Sequence, residues 1–300
     1  NIEAGVFVDA TGDADIAALA GVPCEKGRAE DGAMQPVSLI FRMANVDLAQ
    51  VEAYMGSHPE EFHHRTHFDQ LGRIPLVSVS GFFSIWRGAV GRGEIDIPRE
   101  RILFFRGARL DVVTVNTTRI LGIDGTSTSD LTRAEIEGRR QAWTVSRFLQ
   151  KNIPGFEKAF LMDTGVQIGV RETRRIMGEY ILTQEDILEG RTFPDDVARG
   201  AYSIDIHDVK SSSFVQLEAP EYGIPYRCLV PKKVENLLVA GRSISTTREA
   251  QASIRVTPTC MATGQAAGTA AAVSAMEGIK PREVSGERLH EMLQNQGVHF

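Results

Sequence analysis

The fold class is decided by Leu237-Leu238-Val239-Ala240-Gly241-Arg242-Ser243-Ile244-Ser245, by Ser253-Ile254-Arg255-Val256-Thr257-Pro258, and by Ala262-Thr263-Gly264-Gln265-Ala266-Ala267-Gly268. Val234 to Gly241 is an apolar run ending in Ala-Gly, which reads as a buried strand whose carboxyl end opens into a loop. Thr257 suits an N-cap and Pro258 a first helical position, so the spacing predicts a helix starting there. Such a start turns free backbone N–H groups and the positive end of the helix dipole toward an electron-rich carbonyl or phosphate. Gly264, Ala266, Ala267 and Gly268 leave one face of that helix nearly bare, open to another backbone or to a flat ligand. A small-residue helix packed on a sheet without any ligand would show the same composition.

Outward from this stretch, the beginning of the chain has the same grammar. Gly5-Val6-Phe7-Val8-Asp9-Ala10-Thr11-Gly12-Asp13 is a β-prone run ending in small residues, read as a strand buried on both faces, hence parallel and central. Asp13 to Ala20 then forms a short helical pattern closed by Gly21. Ligands of open α/β sheets lie beyond such strand ends. Between them the chain is more polar, with alternating runs at Val37 to Met43, Ile102 to Arg106 and Asp111 to Thr117 that suit an antiparallel sheet. A helix from Thr128 or Ser129 to Asn152 carries acidic residues early and basic ones late. The expected architecture is therefore α/β: residues 1–25 and 226–276 form one discontinuous domain, residues 26–225 an inserted, mostly antiparallel α+β substrate or cap domain, and residues 277–300 a helical tail.

Composition narrows the function. The 300 residues are 42% hydrophobic and 24% charged, as in a globular protein. With 33 Lys and Arg against 39 Asp and Glu the net charge is −6, which argues against general nucleic-acid binding. No apolar run reaches the roughly 18 residues of a membrane span. Cys24, Cys228 and Cys260 are distant from one another and outside any CxxC pair, so no disulfide framework is expected. There is no GxSxG elbow and no P-loop. His63 and His67 at i, i+4 could offer zinc one helix face, with His58 and His64 nearby, but no third ligand is fixed by spacing, so no metal site is assigned. The chain starts with Asn1, almost directly in its most apolar strand, and an upstream segment is therefore expected to be missing.

Both strand-end motifs, together with Gly169-Val170-Arg171-Glu172-Thr173-Arg174-Arg175-Ile176-Met177-Gly178-Glu179-Tyr180 and Gly223-Ile224-Pro225-Tyr226-Arg227, resemble the FAD-dependent oxidoreductases related to fumarate reductase flavoproteins. The likeness runs across most of the chain. It implies FAD as cofactor and a partial Rossmann-like FAD-binding domain, with the GxGxxG segment of that family lying upstream. It also implies that Ala10, Thr11, Gly12 and Asp13 lie near the FAD diphosphate and ribose, and that Gly241, Arg242 and Ser243 lie by the ribityl chain. Arg255 to Thr257, and Thr263, Gly264 and Gln265, would border the isoalloxazine ring. Asp13 also suits an N-cap of its own short helix, and Arg242 a surface salt bridge. With the free thiols, the resemblance points to a bacterial, cytoplasmic protein.

In a flavoenzyme the protein must orient the substrate and handle protons. Arg171, Arg174 and Arg175 form a compact basic cluster apt for gripping a carboxylate, although with Glu172 and Glu179 they could equally make a surface ion-pair network. His207, between Asp205 and Asp208, suits a proton donor or acceptor, or else is a solvated loop residue. In the relatives an arginine can donate the proton, so Arg171 and Arg255 compete with His207. The leading expectation is flavin-mediated hydride or electron transfer on a small polar substrate, a carboxylate among the candidates, with self-association into a homo-oligomer left open. The alternative is a non-catalytic or degenerate flavoprotein-fold subunit that pairs with a partner chain.

Overall fold

The computed structural model describes residues 2–63, 68–73 and 75–300. The chain forms two compact units, one of residues 1–35, 171–207 and 214–300, the other of residues 36–170 and 208–213. The first unit reaches beyond the expected 1–25 and 226–276, because strand Cys24–Lys26 pairs antiparallel with Arg174–Ile176, and Asp196–Gly200 with Tyr222–Pro225. These pairings join residues far apart in sequence, so local pattern does not announce them.

In the first unit, Phe7–Asp9 runs parallel to Leu237–Val239, with Phe7 opposite Leu237 and Asp9 opposite Val239. Leu237, Leu238 and Val239 are all buried. The first strand is not buried on both faces as expected. Phe7 is 36% and Val8 39% exposed; among the described residues this strand pairs with one neighbour, Leu237–Val239. Helix Asp15–Leu19 follows it and ends at Ala20, ahead of Gly21, whose φ is +83°. Helix Thr257–Glu277 packs Ala266, Ala267 and Ala270 into a core shared with Leu238, Ile224, Tyr222 and Ile254. Tail helix Gly286–Asn295 adds Leu289 and Leu293 to that core. Its start is capped by the Ser285 hydroxyl, which accepts the N–H of Arg288.

The second unit holds an antiparallel five-stranded sheet in the order Ser78–Gly81, Ile102–Arg106, Val113–Val115, Phe41–Ala44, Phe160–Thr164. Each of the three alternating runs contributes a strand to this sheet, Ile102–Arg106 in full and the other two in part, at Phe41–Ala44 and Val113–Val115. Helix Thr128–Asn152 starts behind a Ser127 cap whose hydroxyl accepts the N–H of Asp130. It buries Ala142, Val145 and Leu149 in the sheet's core, while Gly138 lets it approach Leu39, where a Cβ would lie 2.9 Å from the Leu39 Cβ. No helix among the described residues is long and apolar enough to cross a membrane.

Candidate functional site

Because the two strands of the first unit run parallel and in register, the loops after Asp9 and after Val239 leave the pair at the same end. Asp9, 1% exposed, organises the first loop. Its Oδ1 accepts the N–H of Thr11 at 2.9 Å and the Thr11 hydroxyl at 2.7 Å, and its Oδ2 accepts the N–H of Ala17 at 2.8 Å. Asp9 thus does what was expected of Asp13, since the cap position of the short helix is Ala14, at φ 52° and without a side-chain hydrogen bond. The Asp13 carboxylate is engaged elsewhere, its Oδ1 accepting the Thr173 hydroxyl and Arg242 Nη2, each at 2.7 Å.

Arg242 therefore ties one loop to the other. Gly12 makes this possible: its φ is +81°, and a Cβ there would stand 2.8 Å from Arg242 Nη1. The Ser243 hydroxyl donates to the Gly12 carbonyl at 2.6 Å. Ala10 and Thr11 stay exposed at the lip of this turn.

Thr257 is the first residue of its helix rather than the cap; the cap is Val256, an extended residue with no side chain able to accept an N–H. The helix start is thus left without a side-chain acceptor, and Thr257 and Pro258 are exposed. Thr263 is buried, and its hydroxyl accepts the Gly241 N–H at 3.1 Å, fastening the second loop to the helix. Gly241 has φ +79° with only Cys260 Sγ near a notional Cβ, at 4.0 Å, and at Gly264 nothing comes within 4 Å. Gln265 is not brought to this place: it is exposed and its Nε2 donates to Gln296 Oε1 at 3.1 Å, two residues beyond Thr263 being close to the opposite side of a helix. Burial raises the Cys260 thiol, opposed by the charge of Arg242, which keeps it a thiol rather than a nucleophilic thiolate.

The arginine cluster divides. Arg174 donates to the Asp13 carbonyl at 2.9 Å and to Asp15 at 2.8 Å. Arg175 is buried against Glu172 at 3.3 Å and the Gly27 carbonyl at 3.2 Å. Glu172, also buried, is held by Arg248 Nε at 3.1 Å and by the N–H of Gln35 at 3.0 Å. These two arginines build structure. Arg171 instead lies with Arg255, whose Nη1 donates to the Arg171 carbonyl at 3.4 Å and whose Nη2 donates to the Asp205 carbonyl at 2.8 Å. Arg255 occupies the single junction between helix Arg248–Ile254 and the Thr257 helix, two residues before the uncapped start. Burial pulls its guanidinium below the usual arginine range, against the raising influence of Asp205 and Glu172.

His207 completes the group. Its Nε2 is 3.3 Å from Asp205 Oδ2, and its N–H donates to Gln35 Oε1 at 3.0 Å. Burial alone would raise Asp205, but the His207 hydrogen bond and the charges of His207, Arg255 and Arg171 outweigh it and hold the carboxyl below its ordinary range. Of the two acids flanking His207, Asp208 turns into the following loop, accepting the N–H groups of Lys210 at 2.8 Å and Ser211 at 2.6 Å. In the second unit His58 stacks on Tyr54 at 4.2 Å between ring centres. His64 and His67 lie outside the described residues, among which no group of His, Cys, Asp and Glu could hold a metal ion. The sequence reading gave no role to Asp9, Gln35 and Arg248, and expected Glu172 in a surface ion-pair network, whereas it is buried. Only Asp9 carried a local signal, as the one acid closing an apolar strand.

A family model described as FAD dependent oxidoreductase matches residues 1–293. The chain belongs to that family. It is an FAD-dependent oxidoreductase, an enzyme whose cofactor is FAD. No curated protein and no solved structure matches it. Two observations on the oxidoreductase fit that cofactor: a 21-residue helix whose first N–H groups have no side-chain acceptor, and open space over Gly264 on that same helix. When bound, FAD supplies hydride or electron transfer, leaving orientation and proton handling to the side chains.

Proposed function

We propose that the oxidoreductase acts on a small carboxylate-bearing substrate held by Arg255 and Arg171, with His207 as the proton carrier. The observation that carries this reading is Arg255. Its hydrogen bonds go to two main-chain carbonyls, and among the described residues it has no carboxylate partner, whereas Arg174, Arg175, Arg242 and Arg248 are each paired with an acid. A desolvated guanidinium that no carboxylate contacts, with Asp205 and Glu172 acting on it only through their charges, is stabilised further by an anionic ligand, and its fork geometry suits two carboxylate oxygens. Asp205, kept ionised, stabilises a protonated His207 and fixes its orientation, so that the imidazole can give a proton to the reacting substrate or take one from it.

In this reading Ala10 to Asp13 and Gly241 to Ser243 border the FAD phosphate and ribityl portions. Arg255, Thr257 and Gly264 border the ring, and Gln265 is left out. The parallel strand pair is read as part of a discontinuous Rossmann-like FAD-binding domain related to the fumarate reductase flavoproteins, and the antiparallel unit as its insertion. Calorimetric titration of the FAD-supplemented protein with oxalate, a minimal dicarboxylate, tests the assignment. Arg255→Met is expected to lower affinity at least about tenfold, the effect of one charge-assisted contact of about 1.5–3 kcal/mol, and Arg255→Lys by less. Wild-type affinity in Arg255→Met would refute it.

A further inference from the structure

We infer that Gln35 is a third member of this anion site, its Nε2 donating to an oxygen of the bound acid; the inference rests on the reading of Arg255 above. Gln35 is 1% exposed and is held at two points. Its N–H donates to Glu172 Oε2 and its Oε1 accepts the N–H of His207, each at 3.0 Å. Because the His207 backbone can only donate there, the amide cannot be turned around without setting two donors against each other, so the direction of Nε2 is fixed. That nitrogen is buried and meets no acceptor among the described residues.

Both anchors of Gln35 stand beside the anchors of Arg255. Glu172 follows Arg171, whose carbonyl accepts Arg255 Nη1, and His207 is two residues from Asp205, whose carbonyl accepts Arg255 Nη2. Glu172 also holds Arg248, the first residue of the helix that ends at Arg255. Gln35 is therefore built into the frame that positions the guanidinium. A buried amide N–H without a partner costs about 1–3 kcal/mol. Since the same frame holds the Arg255 guanidinium, which no carboxylate contacts, a group that relieves that cost is an anionic oxygen, and an acid with two oxygens can engage both donors. The ligand class is a small carboxylate recognised by one charged and one neutral donor, which selects for an acid over a monatomic anion such as chloride.

The test is calorimetric titration of the FAD-supplemented full chain with oxalate, for wild type, Gln35→Met, Gln35→Glu and Arg255→Met, with thermal denaturation to establish that each is folded. Gln35→Glu keeps the oxygen that faces His207 while replacing the donor by a negative oxygen; Gln35→Met removes the donor without adding charge. Both are expected to bind oxalate at least about tenfold more weakly, the worth of a hydrogen bond to a charged group. Affinity within twofold of wild type in folded Gln35→Met, with binding lost in Arg255→Met, would overturn the role of Gln35 and leave Arg255 standing, the orphan nitrogen then belonging to an internal water. Should Gln35→Met fail to fold, the same twofold criterion applied to Gln35→Glu decides. Wild-type affinity in Arg255→Met would overturn the anion site itself, and Gln35 with it.

Discussion

Gly12→Ala tests whether the two strand-end loops form one rigid turn. Gly12 sits at φ +81°, where an L side chain costs about 1–2 kcal/mol. Its new Cβ would also lie 2.8 Å from Arg242 Nη1 and 2.9 Å from Arg242 Cζ. The guanidinium must move, and its ion pair with Asp13, partly exposed on both sides, is worth about 0–1 kcal/mol. The expected total is about 1–3 kcal/mol. Gly21→Ala is the control: its φ is +83° but nothing lies within 4 Å of a Cβ there, so it should show the backbone cost of about 1–2 kcal/mol alone. Urea denaturation of both variants, and of Gly12→Ala in an Arg242→Ala background, measures the difference. Arg242→Ala should relieve about 1 kcal/mol of the Gly12→Ala penalty. Equal penalties at Gly12 and Gly21, together with full additivity in the double variant, would refute the idea that Arg242 is packed across Gly12 as a fixed strut.

Two further outcomes follow from the geometry. Gly264→Leu meets open space and gains helix propensity of about 1 kcal/mol, so thermal stability without FAD should hold or rise while FAD binding, read by flavin fluorescence, falls sharply. Unchanged FAD affinity would remove Gly264 from the ring site. Asp196 is pushed up to about 6, by burial above all and against the Phe193 N–H and the charge of Arg199. The folded state therefore keeps a proton that the unfolded chain has released, and this group's contribution to stability grows as pH falls from 7 toward 4. Asp196→Asn, still able to accept the Phe193 N–H, should stabilise the protein by roughly 1–3 kcal/mol at pH 7.5, with the gain fading by pH 4. A gain independent of pH would contradict the assignment.

What was legible in the sequence was whatever local pattern encodes. The alternation at Ile102 to Arg106 returns as a strand with the same limits, and the start signals before Asn152 place a helix at Thr128–Asn152. The apolar runs ending at Asp9 and Val239 declared their strands and the small-residue loops beyond them. A run cannot declare how many neighbours its strand has, which is why Phe7 and Val8 were expected inside. Nor could pattern show which arginine in the group 171, 174 and 175 is spent on structure. That depends on Asp13, Asp15 and Gly27, well over a hundred residues away, and on the pairing of Cys24–Lys26 with Arg174–Ile176. Gln35 carried no signal, since a single glutamine in a polar stretch gains meaning only when its two anchors meet in space.

The most direct measurement is the visible absorption spectrum of the purified oxidoreductase with FAD, recorded as oxalate is added, for wild type and Arg255→Met. A flavin held along the strand-end loops with an acid bound beside it should show saturable shifts of both flavin bands in wild type and none in Arg255→Met. Flavin bands that ignore oxalate, or that shift equally in the variant, would contradict the placement of the anion site beside the ring.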